Sequence, residues 1–250
     1  MHTLLAQSSP VLFLVIAGFC IGALAIGLSF LNIASRLFKG MPGQVPTPAF
    51  LGVVSTAWAL SMGFAASDVW SLDARADSAA TAERSAVMRL IGVSDESALN
   101  LPAMNEAVRN YADLARTTEW QETLNRVPNP LVDDALQEIR IGIVDMVKRG
   151  IASPLVSKTV NDFDELQDAR NERLAIGQTA VDLTKWYLVL CLTVMAMITI
   201  AMVHAEVPKA GRNALAIFSV VVCVCLWILA MHTNPYKGMP VTLFASTSSR

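Results

Sequence analysis

In GFAASDVWSLDARAD, residues 63–77, the carboxylates Asp68, Asp73 and Asp77 follow an apolar stretch in which Gly52, Thr56, Ala59, Gly63 and Ser67 recur every three or four positions. Small and hydroxyl side chains at that spacing share one face of a helix. In lipid such a face lets helix backbones approach closely, or lines a water-filled path with Met62 or Phe64 as an apolar constriction. Acids at its mouth, contributed by several copies of the chain, would form a ring that favours cations. Other chemistry has little to work with. The chain has no G-x-S-x-G, no phosphate-binding glycine loop and no H-E-x-x-H, and its histidines are His2, His204 and His232 alone. Cys20, Cys191, Cys223 and Cys225 all lie in apolar stretches, which offers neither a disulfide framework nor zinc spacing and suits small packing residues. No catalytic residue, metal, cofactor or nucleic-acid partner is expected, and the chain does not read as an enzyme.

Composition says where these residues live. An apolar fraction of 54% with 16% charged residues over 250 positions is far from an ordinary soluble protein. Four stretches, at about 11–33, 48–70, 186–205 and 213–232, are long and apolar enough to cross a bilayer. The first could also be a cleaved signal peptide, but it lacks a basic n-region and is too long. Asp68 and His232 then end on one side of the membrane, His204 and Glu206 on the other, which argues against a metal site joining the histidines and suits interfacial residues. Gly18 and Gly22 repeat the close-packing spacing in the first span, and Gly52 begins it in the second.

Of the 21 acids and 19 bases, 19 and 13 fall between Ser71 and Lys185. Residues 71–185 therefore read as an acidic extramembrane domain between the second and third spans, with 1–70 and 186–232 as the two membrane pairs and 233–250 as a tail. Its apolar residues step by three or four: Ala79, Ala82, Ala86 and Leu90; Leu101, Met104, Val108, Tyr111 and Ala115; Leu131, Ala135, Ile139, Gly142 and Met146; Val156, Val160, Phe163, Leu166, Ala169 and Leu174. These stripes predict four helices, with breaks near 92–100, 127–130 and 150–154, Asn100 as a cap and Pro102 in a first turn. No strand pattern competes, so the fold class is all-α. Residues 65–90 hold no glycine or proline, which predicts one helix leaving the membrane unbroken; 169–190 predicts a second strut, with Gly177 its weak point. Arg36 with Lys39 and Lys209 with Arg212 in the short connections favour a cytoplasmic side there and an extracytoplasmic acidic domain.

WSLDARADSAATAERSAVMRL, YADLARTTEW with Tyr111 and Glu119-Trp120, ARNERL with Arg173-Leu174, and NPYKG after the fourth span together resemble the bacterial membrane proteins of the bestrophin-like family, from about Phe50 to Gly238. Glu83 with Leu90 fits the family's acid near a leucine-rich turn. Asn234-Pro235-Tyr236 departs from its closing arginine-proline-phenylalanine-x-glycine. By analogy with bestrophins, the resemblance implies a multi-pass protein of a bacterial inner membrane, pentameric and channel-like, with membrane lipid around it. The net acidity of 71–185 would repel anions at low salt, so the ion stays open. Two other readings remain: a membrane-anchored scaffold whose helical domain binds a protein partner, and a stator-like subunit, which would need a protonatable group from elsewhere.

Overall fold

The computed structural model describes residues 9–38, 46–178 and 183–236. Among them are seven α-helices and no strand: α1 (Ser9–Leu37), α2 (Pro48–Ser94), α3 (Pro102–Leu114), α4 (Pro130–Lys148), α5 (Ser153–Gln178), α6 (Leu183–Val203) and α7 (Pro208–Met231), with a π-helical segment Ala115–Glu122 between α3 and α4. Pro10–Leu37, Pro48–Ser94, Thr184–Val203 and Pro208–Met231 are long and apolar enough to cross a membrane. The described residues within Met1–Ser71 and Ala180–Thr233 form one compact unit, and those within Leu72–Thr179 and Asn234–Arg250 a second.

In the first unit α1, α6 and α7 pack on one another. The close approaches occur at Gly27, where a Cβ would stand 3.0 Å from Leu215, and at Gly211, where it would stand 2.9 Å from His204 and 3.0 Å from Leu31. An added Cβ at Gly211 would clash with the His204 Cβ, and one at Gly27 would need the Leu215 side chain to give way. Gly18, Gly22, Gly52 and Gly63 behave differently: among the described residues, nothing lies within 4 Å of where their Cβ would be. The intrasubunit packing expected of the glycine spacing is therefore made at other glycines.

In the second unit the outer half of α2 contributes Ala76, Ala79, Ala80, Ala86, Val87, Leu90 and Ile91 to a core shared with α3, α4 and α5. The helical stripes are present with local shifts in phase. Ala82, Leu131 and Val160 are exposed, and their neighbours Glu83, Val132 and Thr159 are buried instead. α2 runs 47 residues, about 70 Å at 1.5 Å per residue. It stops at Ser94, where the terminal carbonyls are taken up: Asn105 donates to the Ile91 carbonyl at 3.2 Å and the Leu101 amide to that of Ser94 at 3.0 Å. Asn100 makes no cap. It adopts φ 49° in the turn, and Leu101, without a side-chain cap bond, precedes Pro102. The second strut, 169–190, crosses positions 179–182, outside the described residues.

Candidate functional site

At about 100° per residue, the buried positions of α2 fall on one face along its whole length, from Ala65 and Val69 through Ala76, Ala80, Glu83 and Val87 to Leu90. The opposite line is exposed throughout. In the membrane half it carries Gly52, Thr56, Ala59, Gly63 and Ser67; beyond Trp70 it carries Ala74, Ser78, Thr81 and Ser85. Val53, Leu60 and Phe64 flank the line, Phe64 with 66% of its surface open. Met62 does not join them, being half-buried against the core around Ala65, Val69 and Trp186. Only 6% of the α2 span is buried, against 28%, 44% and 33% for the other three. The exposed residues of α1 and α7 are what lipid-facing positions require: Leu14, Ile21 and Ile33, and Ile217, Val220 and Ile228. The line on α2 is made of much smaller side chains.

Inside the first unit α2 is tethered by a polar contact: Trp58 Nε1 donates to Thr193 Oγ1 of α6 at 2.9 Å, with the Trp58 ring edge-on to Phe218. The three acids do not share a face. Asp68 and Asp73 sit about 140° apart around the helix, and Asp77 lies nearest the small-residue line. Asp68 is moreover paired with Lys185, both side chains half-exposed. His204 and His232 each bond only a carbonyl one turn back in their own helix, at 2.9 and 3.0 Å, and no group of three metal-ligating side chains occurs among the described residues.

The second unit holds a buried charge network. Glu83 of α2, Glu119 of the π segment and Arg173 of α5 are each 0% exposed. Arg173 donates from Nε to Glu83 Oε2 at 2.5 Å, and from Nη2 to Glu83 Oε1 and Glu119 Oε2, both at 2.9 Å; Nη1 donates to Asn125 Oδ1. Arg170 donates to Glu119 Oε1 at 2.6 Å and to Asp133 Oδ1 at 2.6 Å. Tyr111 donates to Glu83 Oε1 at 2.6 Å, and the Asn129 amide to Glu119 Oε1 at 3.0 Å. Glu119 thus also holds the start of α4, whose cap is Asn129. The widened π turn carries Glu119 and Trp120 inward together, and threonine hydroxyls at 117, 118 and 123 bond back to carbonyls along it. The Arg173 guanidinium lies 5.3 Å from the Trp120 ring. Two buried carboxylates face two buried guanidiniums, so the charges balance.

Electrostatics follow from that balance. Burial would raise the Glu119 carboxyl, but the Arg170 and Arg173 guanidiniums and the Asn129 amide hold it below the usual carboxylate range. Burial opposes charge on Arg170 and Arg173 too, and their carboxylate partners more than restore it, keeping both protonated. Burial, helped by the Glu83 charge, pushes the Tyr111 hydroxyl well above its ordinary range, so it stays a donor. Gly177 makes this site possible: a Cβ there would collide with the Asn125 backbone, which is held at φ 60°. It is a point of close approach inside α5.

A model of the bestrophin-like domain matches residues 9–239. The chain belongs to the bestrophin-like family. It is a multi-pass membrane protein with the bestrophin fold, similar to three crystal structures of a bacterial bestrophin homolog from Klebsiella pneumoniae. One single-residue variant of that homolog has a TM-score of 0.69 at 15% identity, covering 91% of this chain and 93% of that one. A second variant gives 0.68 at 15%, covering 91% and 95%. A third structure, phased on zinc, gives 0.66 at 15%, covering 91% and 94%. No curated protein matches.

In this bestrophin-like chain the dispersed motif residues Glu83, Tyr111, Glu119, Trp120, Arg173 and Tyr236 converge on the one network. Tyr236, despite the departure of its motif, is 3% exposed, donates to the Arg173 carbonyl at 3.1 Å and packs edge-on to Trp120 at 5.2 Å. The sequence reading missed Arg170 and Asn125. Both occupy buried positions, and a charged residue in phase with Phe163 and Leu166 was the available signal for Arg170.

Proposed function

We propose that the chain is one subunit of an oligomeric ion channel in which α2 lies nearest the axis. Gly52, Thr56, Ala59, Gly63 and Ser67 line the narrow membrane part, with Phe64 at its flank as the apolar constriction. Ala74, Asp77, Ser78 and Thr81 line a vestibule formed by residues 71–185 outside the membrane. The observation that carries this reading is that α2 leaves 94% of its span unburied in one subunit while presenting a line of small and hydroxyl side chains. Other copies cover such a line better than lipid does. The family resemblance supports a pentamer, and the acidic excess of 71–185 supports cations over anions at low ionic strength. Asp68 acts there as half of an ion pair with Lys185, and Asp77 is the stronger vestibule charge. The basic short connections support an extracytoplasmic vestibule.

The test is reconstitution of purified protein in liposomes, with cation and anion flux measured separately, alongside mass measurement in nanodiscs. Flux with an oligomeric mass is expected, together with reduced cation preference in Asp77→Asn. A monomer would end the proposal, since four spans enclose no aqueous path. Ile141, Val144 and Val147 leave an apolar strip on the outside of α4, which favours a partner-binding scaffold as the second reading. An oligomer that passes neither ion would select it.

A further inference from the structure

Most of the network is carried on helices: Glu83 on α2, Tyr111 on α3, Glu119 on the π segment, Arg170 and Arg173 on α5. Asn125 is fixed by its amide bond to the Glu119 carbonyl at 2.7 Å. Tyr236 is held differently. It follows α7, which ends at Met231, on a short turn in which its amide donates to Asn234 Oδ1 at 3.2 Å. It is buried with the core of the second unit, and two contacts bind it to the network: the hydroxyl bond to the Arg173 carbonyl and the edge contact with Trp120. Those two contacts close the network. Trp120 covers the Arg173 guanidinium, and Tyr236 covers Trp120.

We propose that Tyr236 is a releasable latch on this network: seated, it keeps the Glu83–Arg173–Glu119 pairs dry and tight; withdrawn, it admits water to them and loosens α2 at Glu83. The physics is the dependence of an ion pair on its surroundings. Charges a few ångströms apart attract several-fold more strongly in a water-excluded site than at a surface, where exposed pairs contribute little. An aromatic cover therefore controls how firmly Glu83 is gripped without touching Glu83. The last residues of α7 sit directly upstream of the latch, so a movement of that helix end reaches it through a few residues of chain.

Hydrogen exchange read by mass spectrometry on the full chain in nanodiscs tests this, and it needs no conductance, so it stands apart from the channel reading. Tyr236→Phe keeps the ring and loses one hydrogen bond; peptides covering 76–90, 115–125 and 166–178 should exchange about three- to tenfold faster. Tyr236→Ala should speed the same peptides about a hundredfold or more, while α4 peptides within 132–146 change less than about twofold. A latch opens its own network and leaves the rest of the unit closed. Equal acceleration in the α4 peptides would make Tyr236 an ordinary core residue and overturn the proposal, as would unchanged exchange at the network. Should Tyr236→Ala fail to fold, Tyr236→Phe decides the matter on the same peptides.

Discussion

Replacing Arg173 by Met keeps an unbranched apolar stem and removes the charged head, and the structure says what is left behind. Glu83 loses both guanidinium bonds and keeps only the Tyr111 hydroxyl at 2.6 Å. Glu119 keeps Arg170 and the Asn129 amide. A carboxylate that is 0% exposed then has no adjacent cation. Breaking a buried pair in this way costs about 3–5 kcal/mol, because the abandoned charge stays desolvated. Marginal stability of about 5–15 kcal/mol makes that a large loss. For a unit of this size it corresponds to a fall in Tm of very roughly 10–20 °C. Removing both charges should be milder: Glu83→Leu with Arg173→Met leaves no orphaned ion at Glu83, and should recover about 2 kcal/mol or more over Arg173→Met alone. The assay is thermal unfolding of the detergent-solubilised protein followed by tryptophan fluorescence, with the four proteins of the cycle compared at neutral pH. An Arg173→Met protein within about 0.5 kcal/mol of the parent, or a double variant no better than the single, would refute the reasoning.

Gly177→Ala should destabilise the second unit by about 2–4 kcal/mol, read in the same melts, because its Cβ meets the Asn125 backbone, which cannot swing aside like a flexible side chain. Stability should also have two pH edges. Glu119 is held below its ordinary value of 4.5, so its contribution is full above about that pH and fades as pH falls through the lowered folded value; Tyr111 is raised above 10.0, so its contribution is full below about that pH and is lost as pH rises further. Chemical denaturation across pH 3–11 should give a plateau between those edges, and a slope centred near neutrality would contradict it. In the membrane unit, Trp58→Phe should cost about 1 kcal/mol through the bond to Thr193, and adding Thr193→Val should cost little more, since both changes remove the same contact.

Much of this architecture was readable from residues alone. The spans follow from length and apolarity, and the continuity of α2 from the absence of glycine and proline between Gly63 and Gly92. The helical stripes were readable to within a residue; at Leu131 the buried place goes to the equally apolar Val132, while the errors at Ala82 and Val160 share a cause. An alanine or valine next to a buried polar residue looks like the better core choice until partners are known. Glu83 is the clear case, a carboxylate in phase with Ala76, Ala79 and Ala86 that is buried because Arg173, 90 positions later, meets it. Nothing local marks such a pairing in a segment rich in acids and bases. The π segment was equally hidden, since ARTTEWQE reads as plain helix. Asp68, Asp73 and Asp77 read together as acids at the mouth of one face; a shift of five residues rather than four or three carries a side chain to another flank. The glycine spacing in α1 is present, yet among the described residues nothing lies within 4 Å of where a Cβ on Gly18 or Gly22 would be.

The unbroken course of α2 also constrains how this protein can evolve. Inserting or deleting one residue between Ala76 and Glu83 would turn Glu83 by about 100° relative to the buried Ala76 and Ala79 on the same helix, away from Arg173 within the second unit. Away from the buried Ala76, Ala79, Ala80 and Glu83, substitutions can accumulate along this stretch, whereas changes in its length are tolerable only in steps that restore whole turns.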